Sequence, residues 1–291
     1  MRSLPLLLLA VIALLVPSCV RTSTVVRVKK DGSGNIVARY YFSPEMLAML
    51  DQLEALGGAL GDAGGGGGPD LGLIRDLAKP DEASLREDAA GYGKGVRYAK
   101  HETAKEDDGW QGYAVVYEFD DIGTVRIDES SMPGKAQEFI QSAGEEIEAG
   151  KGGALSFALE GDVLTVTTSF AKDGWEGLVN QEQIDQAEAM GVAPSEGLKM
   201  AAGMAQGMRI GYFLRADAGF SETTAEHVAE DLIIISDVDV AKVMADPAFG
   251  AFLDKFAADP ESATPESFAK LIEEIEAMTV ETKESFTVKL K

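Results

Sequence analysis

The sequence predicts an α+β fold: a mainly antiparallel sheet built from hairpins, with helical insertions between the strands. Three observations carry that expectation. Apolar and polar residues alternate with period two in several short segments, and turn residues join neighbouring segments. Between them lie stretches with apolar residues at helical spacing and capping signatures at their starts. No repeated strand–helix–strand alternation is present, so a doubly wound parallel sheet is not expected.

Thr24 to Lys30 and Ile36 to Phe42 read as strands. Asp31-Gly32-Ser33-Gly34-Asn35 between them is turn chemistry, which makes the pair a hairpin. Asp31, Ser33 and Asn35 are spaced like the first ligands of a calcium loop, but Phe42 stands where that loop needs its glutamate. Ser43-Pro44-Glu45 starts a helix with a capping hydroxyl, a proline in the first turn and a carboxylate beside it. Met46, Leu50, Leu53 and Leu56 form its apolar face, and Gly57-Gly58 closes it. The Gly-rich segment within 57–69 reads as a flexible loop, since it lacks the lysine and the flanking strand and helix of a phosphate-binding loop. Residues 70–92 read as one or two short helices.

Val96 to Lys105 reads as a strand and Asp107-Asp108-Gly109 as a turn. Tyr113, Val115, Tyr117 and Phe119 alternate along the next strand, and residues 123–128 add a short one. Residues 135–148 read as an amphipathic helix. Leu155, Phe157 and Leu159 alternate, Gly161-Asp162 makes a two-residue turn, and Val163 to Phe170 returns as the partner strand. Residues 181–206 are helix-prone with a break at 191–194. Ile210, Tyr212 and Leu214 alternate in a strand, and Leu232 to Ile235 is a short apolar one. Phe249, Phe252, Leu253 and Phe256 mark a helix face. Thr264-Pro265-Glu266 caps the next helix, with Phe268, Leu271, Ile272 and Ile275 on its face, and Phe286, Val288 and Leu290 alternate in a terminal strand.

The 291 residues hold 26 Lys+Arg against 49 Asp+Glu, a net charge of −23. A body this acidic repels phosphate backbones, so nucleic acid is excluded as a partner class. The single cysteine, Cys19, permits neither an internal disulfide nor a cysteine-built zinc site, and two histidines leave little for a metal centre. No cofactor is called for.

The N-terminus carries the sharpest signal. Arg2 is a short positive region, and Leu4 to Val16 is apolar but too short to span a bilayer, as in a signal peptide. It ends Val16-Pro17-Ser18-Cys19, which resembles a bacterial lipobox. That resemblance implies residues 1–18 as a lipoprotein signal peptide, lipid attachment at Cys19 (palmitate among its acyl chains) and a bilayer partner reached through that anchor. Val20 after the cysteine is not the aspartate of inner-membrane retention, so the outer membrane facing the periplasm is expected if the host has two membranes. Residues 19–291 are expected to form a single α+β envelope domain. Residues 19–42 hold five basic residues against Asp31 alone, a net of +4, while residues 43–291 carry −28. The basic end adjoins the expected anchor, where anionic headgroups attract it.

The candidate chemical groups are few. His101, near Asp107, Asp108 and Trp110, and His227, between Glu226 and Val228, read as surface histidines ahead of proton shuttles or metal ligands. The acid pairs Asp107-Asp108, Asp120-Asp121, Glu145-Glu146 and Glu273-Glu274 read as solvated faces, although paired carboxylates are what a glycosidase needs. Trp110, Trp175, Tyr113, Tyr117, Phe157 and Phe170, with Met190, Met200, Met204 and Met208, read as core ahead of the lining of a lipid cavity. A cavity of several hundred Å3 between sheet and helices would mark ligand binding, and a solid core would mark a scaffold.

The hairpin at Asp31-Gly32-Ser33-Gly34 directly after the lipobox, the Ser43-Pro44 helix start, and the segment Met208 to Asp239 together resemble the LppM-like family of bacterial envelope lipoproteins. Relatives carry Asn-Ala and a Gly-Asn turn where this chain has Thr224-Ala225 and Glu230-Asp231. The resemblance covers about a third of the chain and supplies no catalytic residues. It implies an α+β envelope domain that binds a lipid, glycolipid or envelope component. The alternatives are a hydrolase of envelope polymers using paired carboxylates, and a structural or assembly partner of another envelope protein.

Overall fold

The computed structural model describes residues 20–48, 50–52, 76–128, 131–142, 153–170, 195–196, 202, 205–259, 262 and 264–291. Cys19, the glycine-rich segment, Glu145-Glu146, Trp175, Met190, Met200 and Met204 lie outside the described residues.

The structure is α+β with mainly antiparallel sheets. The first hairpin joins β1 (Val20–Val28) to β2 (Gly34–Phe42), in register from Val20 opposite Phe42 to Val28 opposite Gly34. Its loop closes because Lys29 N–H donates to Ser33 O at 2.8 Å and the Asp31 carboxylate accepts from the N–H and hydroxyl of Ser33. Gly32 takes φ +83°, a left-handed conformation that glycine adopts without steric cost. Residues 44–48 and 50–52 are helical, and Ser43 Oγ accepts from Met46 N–H at 3.1 Å as the cap signature predicts.

Helix α1 (Glu82–Asp88) and a 3-10 turn (Ala89–Tyr92) lead into β3 (Arg97–Lys105) and β4 (Gln111–Phe119). Next come β5 (Arg126–Ile127), α2 (Gly134–Ser142) and the hairpin of β6 (Leu155–Glu160) with β7 (Val163–Thr168). The C-terminal third holds β8 (Arg209–Ala216), β9 (Phe220–Thr223), β10 (Val228–Ala229), β11 (Leu232–Asp239), α3 (Val240–Ala245), α4 (Pro247–Ala258), α5 (Pro265–Glu274), β12 (Met278–Val280) and β13 (Ser285–Leu290). Thr264 and Ser267 form a reciprocal capping box at the start of α5.

One sheet runs β10-β11-β8-β1-β2-β4-β3, with β12 beside β11, and the other runs β5-β6-β7-β13-β9. Their inner faces share one core. Val26, Ile36, Ala38, Val115 and Ile235 from the first sheet and Leu155, Leu164 and Val166 from the second are all fully buried. Each such valine, leucine or isoleucine side chain contributes about 1.5–3 kcal/mol. A second cluster is built from α3, α4, α5 and β12, around Phe249, Phe268, Leu271 and Ile275.

Three features depart from the sequence expectation. β1 pairs with β8 in parallel, from Arg21 opposite Arg209 to Val28 opposite Ala216. That pairing joins segments far apart in sequence, so no turn residues mark it. The strand expected at Leu232 to Ile235 also continues to Asp239, through a register shift between Ile234 and Ser236. The short strands β9, β10 and β12 were not expected, because two to four residues are too few to show an alternation.

Candidate functional site: an arginine-lined sheet face

Alternation decides which side chains face away from the core. In β1, Thr24, Val26 and Val28 are buried inward, so Arg21, Ser23, Val25 and Arg27 lie on the outer face. In β2, Ile36, Ala38 and Phe42 point in, which leaves Asn35, Val37, Arg39 and Tyr41 outside. In β8, Leu214 and Ala216 point in, which leaves Arg209, Gly211, Phe213 and Arg215 outside. In β11 the irregularity changes the parity. Ile233, Ile235 and Ser236 are all buried, and Asp237 and Asp239 fall opposite Gly211 and Arg209 on the outer face. Without that shift both carboxylates would point into the core.

The registers assemble these residues into rows across the sheet. Ile234, Phe213, Val25, Val37 and Val116 form one apolar row on five adjacent strands. At the usual strand spacing it spans roughly 19 Å. Arginines flank it on both sides. Arg27 lies directly opposite Arg215, and Arg21 directly opposite Arg209. Arg39 stands opposite Ser23, next to the apolar row. An open groove of about 490 Å3 runs over this face, lined by residues that include Arg21, Arg39, Tyr41, Arg209, Phe213 and Asp237.

The carboxylates nearest the groove are engaged, and Glu118 on β4 stands on the same face opposite Asn35. Arg21 Nη1 donates to Glu106 Oε2 at 2.7 Å and to Asp108 Oδ2 at 2.9 Å. Its Nε donates to Gly207 O at 3.1 Å, and its guanidinium lies over the Trp110 ring. Arg209 binds Asp237 through both Nε and Nη2. The Asp237 hydrogen bond is the main cause that raises the Arg209 pKa above its ordinary value. Arg215 pairs with Asp231 at 2.7 Å. Asp239 caps α3 through Lys242 N–H and pairs with Lys242 Nζ at 2.9 Å. The central strands β1 and β2 contain no carboxylate at all. Among the described residues, Arg39 has no ion-pair partner, and Arg27 Nε and Arg215 Nε are buried without an acceptor.

The sequence-predicted candidates separate. Asp108 and Trp110 join Arg21 rather than His101. His101 Nδ1 lies 2.7 Å from the Tyr98 hydroxyl on β3. His227 Nε2 lies 3.2 Å from Val280 O, beside β10. β3 and β10 are opposite edges of the first sheet, so the two histidines do not converge. Asp120 pairs with Arg97, Asp121 caps a 3-10 turn, and Glu273 and Glu274 lie on the exposed face of α5. Tyr113, Tyr117 and Phe157 are core residues, and Phe170 stacks on Tyr212 at 4.9 Å. The Asp88 carboxyl is held above the ordinary range. Burial pushes it up, against the hydrogen bond it accepts from Gly134 N–H.

From the sequence, a cavity between sheet and helices would mark ligand binding, and a solid core would mark a scaffold. The volume of about 490 Å3 lies instead on the outer face, while the space between the sheets is filled by fully buried side chains. A recess of about 460 Å3 does lie between β3, β4 and the helical segments near Leu47 and Ala78, and His101 lines it.

No protein-family model matches the chain, and no curated protein matches it in sequence. Among solved structures it is similar to the folded domain of the Mycobacterium tuberculosis LppM protein, determined by NMR. The likeness covers 75% of this chain and 81% of that one, at 10% identity and a TM-score of 0.28. That neighbour is of the family the turn motifs resemble, and the likeness is loose. A superposition at this level carries no argument about role.

Among the described residues, no helix is long and apolar enough to cross a membrane.

Proposed function

We propose that the protein is a membrane-anchored lipoprotein of a bacterial cell envelope. In this reading it binds a lipid, glycolipid or envelope component and turns over no substrate. One observation carries the reading: the arginine-flanked groove begins on β1, whose first residue Val20 directly follows Cys19. Consecutive Cα atoms are about 3.8 Å apart, so an acyl group on Cys19 would hold this end of the sheet at the headgroup level. The same strand pair supplies the +4 of residues 19–42, and the −28 of the remainder favours a body that stands off an anionic surface. The favoured address is the outer membrane, facing the periplasm, in a host with two membranes.

The test is acylation and retention. Wild type, expressed in a bacterium and labelled with an alkyne fatty acid, should carry the label and stay with membranes. Cys19→Ala should do neither. Membrane retention unchanged in that variant would refute the anchor. Absence of any co-purifying or added lipid on the wild-type protein would refute lipid as the ligand.

A further inference from the structure

We infer that the outer sheet face binds a phospholipid with an anionic headgroup, its phosphate on Arg39 and its acyl chain along the row of Val37, Val25, Phe213 and Ile234. The inference rests on the lipid-binding reading and specifies its ligand.

Charge placement is the first support. Two arginine pairs, Arg21 with Arg209 and Arg27 with Arg215, stand directly opposite across β1 and β8. Like charges in that relation are destabilising. They occur in a chain with 49 acidic residues, where carboxylates are plentiful. Those present engage Arg21, Arg209 and Arg215 from the edges of the face. They leave Arg39, on the groove side of the apolar row, without an ion-pair partner among the described residues, while the Arg27 Nε lies on the other side of that row.

The chemistry of the donors is the second support. Guanidinium matches a phosphate with two parallel N–H donors, which an ammonium does not. Ser23, opposite Arg39, and Tyr41, opposite Arg21, supply neutral hydroxyls for remaining phosphate oxygens.

The shape is the third. The row from Val37 to Ile234 is about 14 Å long, against about 15 Å for one leaflet of a bilayer core. Gly211 contributes to the fit, because the Phe213 ring lies over its Cα where a side chain would stand. Arg21, Arg39 and Arg209 line the groove together with Val25 and Phe213, and an arginine offers an apolar methylene stem beneath its charged head.

Full-length protein in neutral maltoside micelles, titrated with phosphatidylglycerol or phosphatidylcholine and read by native mass spectrometry, tests this. Phosphatidylglycerol should be retained one to one and at least about tenfold more tightly, a difference of ~1.4 kcal/mol. Arg39→Gln should abolish that preference at an unchanged melting temperature, and Arg39→Lys should restore part of it. Equal retention of both lipids, unaffected by Arg39→Gln, overturns the inference and leaves general lipid binding standing. Glycerol 1-phosphate bound as tightly as the lipid also overturns it, since the acyl row would then contribute nothing. Retention of no lipid overturns both this inference and the reading beneath it.

Discussion

The Arg21 guanidinium carbon sits 3.9 Å from the centre of the Trp110 ring. Trp110 is 7% exposed and packs against Gly207, whose carbonyl accepts from Arg21 Nε. One arginine therefore ties the start of β1, the β3–β4 loop and the entry to β8 together. Arg21→Gln removes the cation–π contact and both ion pairs, and should cost about 1–2 kcal/mol. In a Trp175→Phe background, Trp110 emission should shift to the red as the ring opens to water. Unshifted emission would show that Arg21 does not cover the ring in solution.

Glu281 is fully buried where β12 leads to β13. Its carboxylate accepts from Glu226 N–H at 2.8 Å and from Lys283 N–H at 3.3 Å. Glu281→Ala leaves two backbone donors without an acceptor and should cost about 2–5 kcal/mol in urea unfolding. Glu281→Gln keeps one acceptor oxygen and should cost less.

Glu230 has φ +58°, the one left-handed non-glycine among the described residues. It lies at the turn into β11, and a side chain is strained there. Glu230→Gly should raise stability by about 1 kcal/mol, measured as a higher urea midpoint at unchanged slope. A loss of stability would contradict the strain.

Arg215 holds the Asp231 carboxyl below its ordinary value of 3.8, by its hydrogen bond and then by its charge. A depressed folded pKa adds stability above the unfolded value, near 3.9, and loses it as pH falls through the folded pKa. Carbon-detected NMR should therefore place the Asp231 midpoint below 3.8, and Arg215→Gln should move it upward. An unmoved midpoint would show that the pair is absent in solution.

The strands were legible in the sequence because Thr24 to Val28, Tyr113 to Phe119 and Leu155 to Leu159 each bury alternate residues against one core. The helix starts at Ser43 and Thr264 were legible because capping uses side chains next to the backbone they serve. The site was only half legible. Arg21, Arg27 and Arg39 register in the sequence as a local excess of positive charge. Arg209 and Arg215 join them solely through the parallel pairing of β1 with β8. One signal was available: both strands carry arginines six residues apart, which places each pair on one face of its strand. The outward turn of Asp237 and Asp239 depends on an irregularity in β11 that no residue type announces. Net charge alone does not reveal this face. The total of −23 averages over a face whose central strands hold only cations.

The central claim is that anionic lipid lies on the outer face of the first sheet. Full-length protein in membranes containing phosphatidylglycerol with a diazirine in its acyl chain would be irradiated, digested and mapped by mass spectrometry. The account predicts cross-links on peptides holding Val25, Val37 and Phe213, reduced at least about tenfold, or ~1.4 kcal/mol, in Arg39→Gln. Cross-links that fall instead around Ser156 and Thr167 on the exposed side of the second sheet, or that Arg39→Gln leaves unchanged, would contradict it.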